Sequence, residues 1–146
     1  MIEAGSETTS SGLNSIVKYL AAYPDAQRKA HAELDKIIGT TRSPKFADED
    51  NLPYIRAIVK EVLRLRPATN IGIPHFTTAD VIYKGHVIPA GTVVAVQQYS
   101  ISMDERRWPE PQAFKPERYL AYPQKAGYYT AHPDPNVRDH FAFGGT

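Results

Sequence analysis

Glu61 and Arg64 stand three residues apart within PYIRAIVKEVLRLRP, residues 53–67, so on a helix their side chains are neighbours. Taken alone, the pair is a solvent-exposed salt bridge contributing roughly a few tenths of a kcal/mol. Beside a strongly apolar stripe it also hints at more than a soluble helix. A second grouping is Ala4-Gly5-Ser6-Glu7-Thr8-Thr9-Ser10-Ser11-Gly12. Two glycines and a cluster of hydroxyls are a poor start for an independent helix. The stretch fits better as the middle of a longer helix, opened locally for a ligand. The five histidines (His31, His75, His86, His132 and His140) show no i, i+4 or His-x-His pairing, so no metal site is expected among them. There is no cysteine, which excludes disulfides, cysteine–zinc sites and a thiol nucleophile within these residues.

Prolines delimit the elements that must position these groups. Pro53 suits a first helical position, and Pro67 closes the helix because the residue before a proline is pushed out of the α region. Between them Ile55, Ile58, Val59, Val62 and Leu63 form the predicted buried stripe. Leu13, Ile16, Val17 and Leu20 predict a helix running to about Ala22, ended by Tyr23-Pro24. Pro24 to Ile38 predicts another, with Ala26, Ala30, Leu34, Ile37 and Ile38 inward and Arg28, Lys29, Glu33, Asp35 and Lys36 wet. Ala47 to Asn51 reads as one helical turn. After Pro67 the period changes. Ile71 to Thr78 is a strand interrupted by Pro74. Val81–Tyr83 and His86–Ile88 form a hairpin about Lys84-Gly85, and Pro89-Ala90-Gly91 is a further turn. Thr92 to Gln98, β-branched and apolar, is the strongest predicted strand. Tyr99 to Met103 is a short helical turn. Residues 104–136 are too long for an ordinary loop, and read as a packed, functional excursion or a partly disordered one. The predicted class is mainly α with a small β part.

With 146 residues the chain is long enough for one domain with a core. A net charge of +1 gives no global attraction to nucleic acid or anionic membrane. No run approaches 18 apolar residues, and the opening residues lack the basic and apolar regions of a signal peptide, so no targeting signal is read.

Four motifs, in order, resemble those of the cytochrome P450 family, the haem-thiolate monooxygenases. Ala4-Gly5-Ser6-Glu7-Thr8-Thr9 is similar to the oxygen-activation segment of the long central helix. Glu61-Val62-Leu63-Arg64 resembles the Glu-x-x-Arg helix. Phe114-Lys115-Pro116-Glu117-Arg118-Tyr119 resembles the Pro-Glu-Arg-aromatic segment. Phe143-Gly144-Gly145 resembles the opening of the cysteine-ligand loop. The resemblance spans nearly the whole chain. It implies one partial domain over 1–146: the end of the central helix (1–22), helices including Glu-x-x-Arg (24–67), a small sheet (71–98), then the meander and the start of the haem-binding loop (104–146). It further implies a chain that begins partway through the family fold, without the N-terminal membrane anchor. The cysteine ligand to iron is expected beyond Thr146, leaving no metal ligand within these residues.

The resemblance also implies roles. Thr8 and Glu7 would form an acid–alcohol relay that delivers protons to iron-bound dioxygen through water. Ala4 and Gly5 would leave space for the oxygen. His75 would donate to a haem propionate, and Phe143 would open the ligand loop. Glu61, Arg64 and Arg118 would be a buried structural triad. Trp108 reads as packing. Arg56, Lys60 and Lys115 read as a solvated face, with docking of an electron donor as the alternative. The implied activity inserts one atom of dioxygen into a small organic substrate, with haem as cofactor and electrons from an NADPH-dependent reductase. A hydroperoxide rearranger is disfavoured, because such members tend to lose the pair seen here as Glu7-Thr8. The wording GIPHFTTADVIYKGHVIPAGT and VRDHFAFGG is similar to eukaryotic, especially fungal, members, which implies the endoplasmic reticulum membrane for the parent enzyme. The alternative is a truncated, non-catalytic chain that binds no haem and acts as an interaction module.

Overall fold

The computed structural model describes residues 2–130, 132–134 and 136–139. Helix α1 (Ile2–Ala22) is followed, across Tyr23, by α2 (Pro24–Ile37). A 3₁₀ turn (Phe46–Asn51) leads into α3 (Pro53–Leu65). Four short strands come next: β1 (His75–Phe76), β2 (Val81–Tyr83), β3 (His86–Ile88) and β4 (Val93–Val94). Then come α4 (Gln98–Ser102), a second 3₁₀ turn (Pro116–Tyr119) and α5 (Ala126–Thr130). The architecture is α+β, with helices dominant.

The α1 stretch is not opened locally: it is an unbroken helix. The Ser10 hydroxyl donates to the carbonyl of Ser6, one turn back. Hydroxyls that bond the i−4 carbonyl are accommodated inside a helix, so the Ser/Thr content does not force it open. The inward stripe also differs from expectation. Ile16, Tyr19 and Leu20 pack on the core, whereas Leu13 and Val17 are exposed.

Helix α3 lies at the centre. One side, with Tyr54, Ile58, Val62 and Leu65, packs on Ala26 and Ala30 of α2, on α1 and on Phe114. The other side packs Ala57 against Trp108 and Tyr119. The predicted stripe is therefore only half the account. Ile58 and Val62 are core, but Val59 is exposed, and the charged side carrying Lys60, Glu61 and Arg64 is buried as well. Residues 102–118 supply the acceptors and the counter-charge for Arg64 and Glu61, and Asp139 meets Lys60.

The start of α3 is satisfied from a distance. Its N-cap is Leu52, which has no side-chain acceptor. Instead, the carboxylate of Glu33 on α2 accepts from the backbone N–H groups of Tyr54 (2.8 Å) and Ile55 (3.0 Å). An acid at a helix N-terminus is favoured by the exposed N–H groups and by the macrodipole. Glu33, read as a wet residue, is thus a cap for its neighbour. Ile37, read as inward, is exposed.

The strands are shorter than their residue types suggest. β1 and β4 pair antiparallel, His75 with Val94 and Phe76 with Val93. Backbone bonds continue this pairing outward from Thr77 N–H to Thr92 O (3.0 Å) and from Gly72 N–H to Val96 O (2.9 Å). Pro74 sits between Gly72 and His75, where the regular ladder stops. The β2–β3 hairpin matches expectation, with Tyr83 paired to His86. Lys84 and Gly85 both have positive φ, 51° and 81°, the combination a type I′ turn requires. The Pro89 carbonyl accepts from Thr92 N–H, placing Gly91 (φ 79°) at the third turn position, where type II geometry requires positive φ.

Before α3, Asp48 accepts from both Arg42 guanidinium N–H groups (2.7 and 2.8 Å) and from Lys45 N–H (2.8 Å). The Arg42 bonds first, and the Lys45 N–H next, hold its carboxyl down to about 2. Because the folded value lies below the unfolded one, the turn's contribution is complete above the unfolded value of about 3.9 and is lost as pH falls towards 2. The Asp48 side-chain carbon, followed by NMR, is expected to titrate near the lower value. A midpoint near the ordinary Asp value would remove the Arg42 contact.

Candidate functional site

The most completely bonded charge cluster forms where α3 meets residues 102–118. Glu61 and Arg64 face the same way because they are three residues apart on the helix. They are 0 % and 2 % exposed. Arg64 grips the carboxylate at two points, Nε to Oε2 (2.8 Å) and Nη2 to Oε1 (2.9 Å). Glu61 Oε1 also accepts from Arg118 Nε (3.1 Å) and from the backbone N–H of Lys115 (2.9 Å).

The second charge is met by carbonyls. Arg64 Nη1 donates to Ser102 O (2.8 Å) and Nη2 to Ala113 O (3.4 Å). Arg118 donates to Pro109 O (3.1 Å), Glu110 O (3.3 Å) and Ala113 O (3.4 Å). The Arg64 guanidinium also lies 5.6 Å from the centre of the Trp108 ring, within cation–π range. Two positive groups therefore share one carboxylate, and the excess charge is spread over backbone dipoles. Such a cluster is built to hold segments together: its donors are committed to fixed acceptors. Burial, and then the Glu61 charge, push the nearby Tyr119 phenol up from its ordinary value, so it stays neutral.

A second group ties α2 to the same segment. Glu117 Oε1 accepts from Lys29 Nζ (2.5 Å) and from the Tyr54 hydroxyl (3.0 Å). Burial works against the Glu117 charge. Hydrogen bonds from Lys29, from its own backbone N–H and from Tyr54 outweigh that, and its carboxyl sits below the usual range. Burial, with the Glu117 bond next, pushes the Tyr54 phenol up.

Lys60 is neither a solvated residue nor free to dock an electron donor. It is 5 % exposed, and its Nζ lies 2.5 Å from the carboxylate of Asp139. Arg56 donates to Pro123 O (3.0 Å), and Lys115 pairs with Glu110 at the surface.

The other predicted site residues are placed differently. Gly5, Glu7 and Thr8 lie on α1 and are exposed. Ala4 lies in the same helix. Among the described residues, no atom beyond its own stretch of helix comes within 4 Å of where a Cβ on Gly5 would sit. His75 begins β1 and is exposed; among the described residues its ring has no hydrogen-bond partner. Phe143 lies outside the described residues. The structure thus brings Glu61, Arg64 and Arg118 together. Among the described residues it joins neither Glu7 nor His75 to them by a hydrogen bond or ion pair. Sequence reading missed Glu33, Asp139 and the Lys115 N–H. The one local signal was Leu52, a residue unable to cap the helix it precedes.

No helix among the described residues is long and apolar enough to cross a membrane. Residues 1–144 match the family model described as Cytochrome P450. The chain is 50 % identical over 143 residues to cytochrome P450 monooxygenase pgmC of Aspergillus terreus, covering 98 % of this chain and 27 % of that protein. It is 46 % identical over 144 residues to cytochrome P450 monooxygenase verL of Clonostachys rogersoniana, covering 99 % of this chain and 26 % of that one. The chain thus spans about a quarter of the length of these curated relatives. Among solved structures, a zebra fish cytochrome P450 with progesterone superposes with a TM-score of 0.83 at 34 % identity, over 98 % of this chain and 30 % of that one.

Proposed function

This chain belongs to the cytochrome P450 family, and on that premise we propose that it is one part of the catalytic domain of a haem-dependent monooxygenase, spanning residues 1–146. Haem is the family's cofactor, and its members generally use an organic substrate, dioxygen and a redox-partner reductase. The observation that carries the reading for this chain is the Glu61–Arg64–Arg118 cluster, formed between segments that match the family in order.

The residues present would line one flank of a haem, and none of them would supply its thiolate ligand. His75 offers an exposed ring N–H to a propionate. Gly5 leaves open space on α1 beside an exposed acid and alcohol, Glu7 and Thr8. No thiolate is among the 146 residues, since none is cysteine. When bound, haem with a thiolate ligand supplies dioxygen activation. The chain's own residues then orient and protonate: Thr8 and Glu7 hold water and pass protons, while the Glu61 cluster fastens residues 102–118 to α3. An NADPH-dependent flavoprotein reductase and attachment to the endoplasmic reticulum membrane complete the proposal for the whole enzyme, on the strength of its fungal relatives.

The test is a chimera in which this chain replaces the matching stretch of the Aspergillus terreus relative. It is expected to incorporate haem and give the reduced carbon monoxide spectrum of thiolate ligation. A folded chimera without haem would overturn the reading. The 146-residue chain alone is expected to give no such spectrum. In the chimera, Thr8→Ala is expected to leave haem content and stability within about 0.5 kcal/mol of the parent, as for an exposed helix position, while lowering product formed per reductant consumed. Unchanged coupling would remove Thr8 from the relay.

A further inference from the structure

Lys60 immediately precedes Glu61 on α3, and both are buried. The two neighbouring charges hold different parts of the chain. Glu61 takes Lys115 and Arg118, whereas Lys60 takes Asp139, which is 0 % exposed. The Lys60 ammonium lies 5.0 Å from the centre of the Tyr129 ring and 6.0 Å from that of Tyr119. It also donates to Gln124 O at 3.4 Å. Next to Asp139, buried Arg138 donates from Nε to His132 O (2.8 Å), joining the two positions.

A buried ion pair is a weak source of net stability, because desolvation offsets most of the attraction. Its better attested use is to fix register, since any misplaced arrangement leaves a buried charge alone. Here the partners are 79 positions apart (139 − 60), and the described residues between Asp104 and Asp139 carry little regular structure to set their own position. Phe143-Gly144-Gly145, which resembles the opening of the cysteine-ligand loop, begins four positions after Asp139 in sequence.

We propose that Lys60 and Asp139 are positioning residues: a second fastening on α3 that sets the register of residues 132–139, and through them the approach of the ligand loop to iron. This inference rests on the monooxygenase reading above.

Lys60→Met and Asp139→Asn in the chimera test it. Each is expected to speed amide exchange across 132–139 by about tenfold or more, while exchange across 113–118 is unchanged. Each should also lower the share of bound haem that gives the thiolate-type carbon monoxide spectrum, without lowering total haem. Lys60→Arg, which keeps the charge, is expected to preserve both readouts. Unchanged exchange and spectrum in the folded variants would overturn the proposal. So would exchange that rises equally everywhere, or failure of both variants to fold, because either assigns the pair to general stability. Exchange can be compared without haem. Failure of the unsubstituted chimera to bind haem therefore counts against the monooxygenase reading and leaves the fastening to be judged by itself.

Discussion

Glu61→Ala is expected to destabilise the fold by about 3–5 kcal/mol, the usual cost of removing one partner from a buried ion cluster. Against a typical domain stability of about 5–15 kcal/mol, that is enough to unfold much of the population. The substitution leaves Arg64, itself 2 % exposed, with only the carbonyls of Ser102 and Ala113. Arg118 keeps Pro109, Glu110 and Ala113, and the Lys115 N–H loses its acceptor. The buried Arg64 guanidinium and the partly buried one of Arg118 then lack a counter-charge. Glu61→Gln retains an acceptor oxygen and should fall between. Urea titration followed by circular dichroism reads the difference. A loss below about 1 kcal/mol would mean that solvent screens the cluster as at a surface.

Trp108→Ala is expected to cost a similar amount, about 3–5 kcal/mol, for a different reason. Trp108 is 4 % exposed and packs on Ala57 and Tyr119, its ring centre 5.5 Å from that of Tyr119. Truncation leaves a cavity between α3 and the second 3₁₀ turn and removes the ring beneath Arg64. Trp108→Phe should cost less than half as much. Its indole N–H has no hydrogen-bond partner among the described residues, so replacing it strands no acceptor, and most of the packing remains. Equal losses for the two variants, read from the same titration, would show that the indole N–H matters after all.

Local features of the fold were legible because they depend on neighbours in sequence. Pro24, Pro53 and Pro67 bound helices by blocking donors and restricting φ. Lys84-Gly85 specified its turn by what φ each residue tolerates. Features set by distant partners were not legible. Nothing near Lys60 distinguishes it from Lys36, yet one is buried against Asp139 and the other exposed. Thr92 to Gln98 has strong strand propensity, but only Val93 and Val94 join a regular ladder, while Thr92 and Val96 accept single backbone bonds from Thr77 and Gly72. The Glu61–Arg64 pair was visible. That it would be buried depended on Arg118 and on carbonyls 38 and 49 positions beyond Arg64, those of Ser102 and Ala113. Only the family resemblance pointed there.

The Glu33 carboxylate beneath α3 has a consequence for the order of assembly. Its contacts with Tyr54 and Ile55 span 21 and 22 positions and involve two helices, whereas the bonds made by Glu61 to residues 115 and 118 span 54 and 57. Loop closure alone separates them by only about 1 kcal/mol. The larger difference is that the Glu61 group needs several segments in place at once. The α2–α3 pair is therefore expected to nucleate, with the later segment condensing upon it. In pulse-labelled refolding, the amides of Tyr54 and Ile55 should gain protection before that of Lys115, and simultaneous protection would argue for a single concerted step.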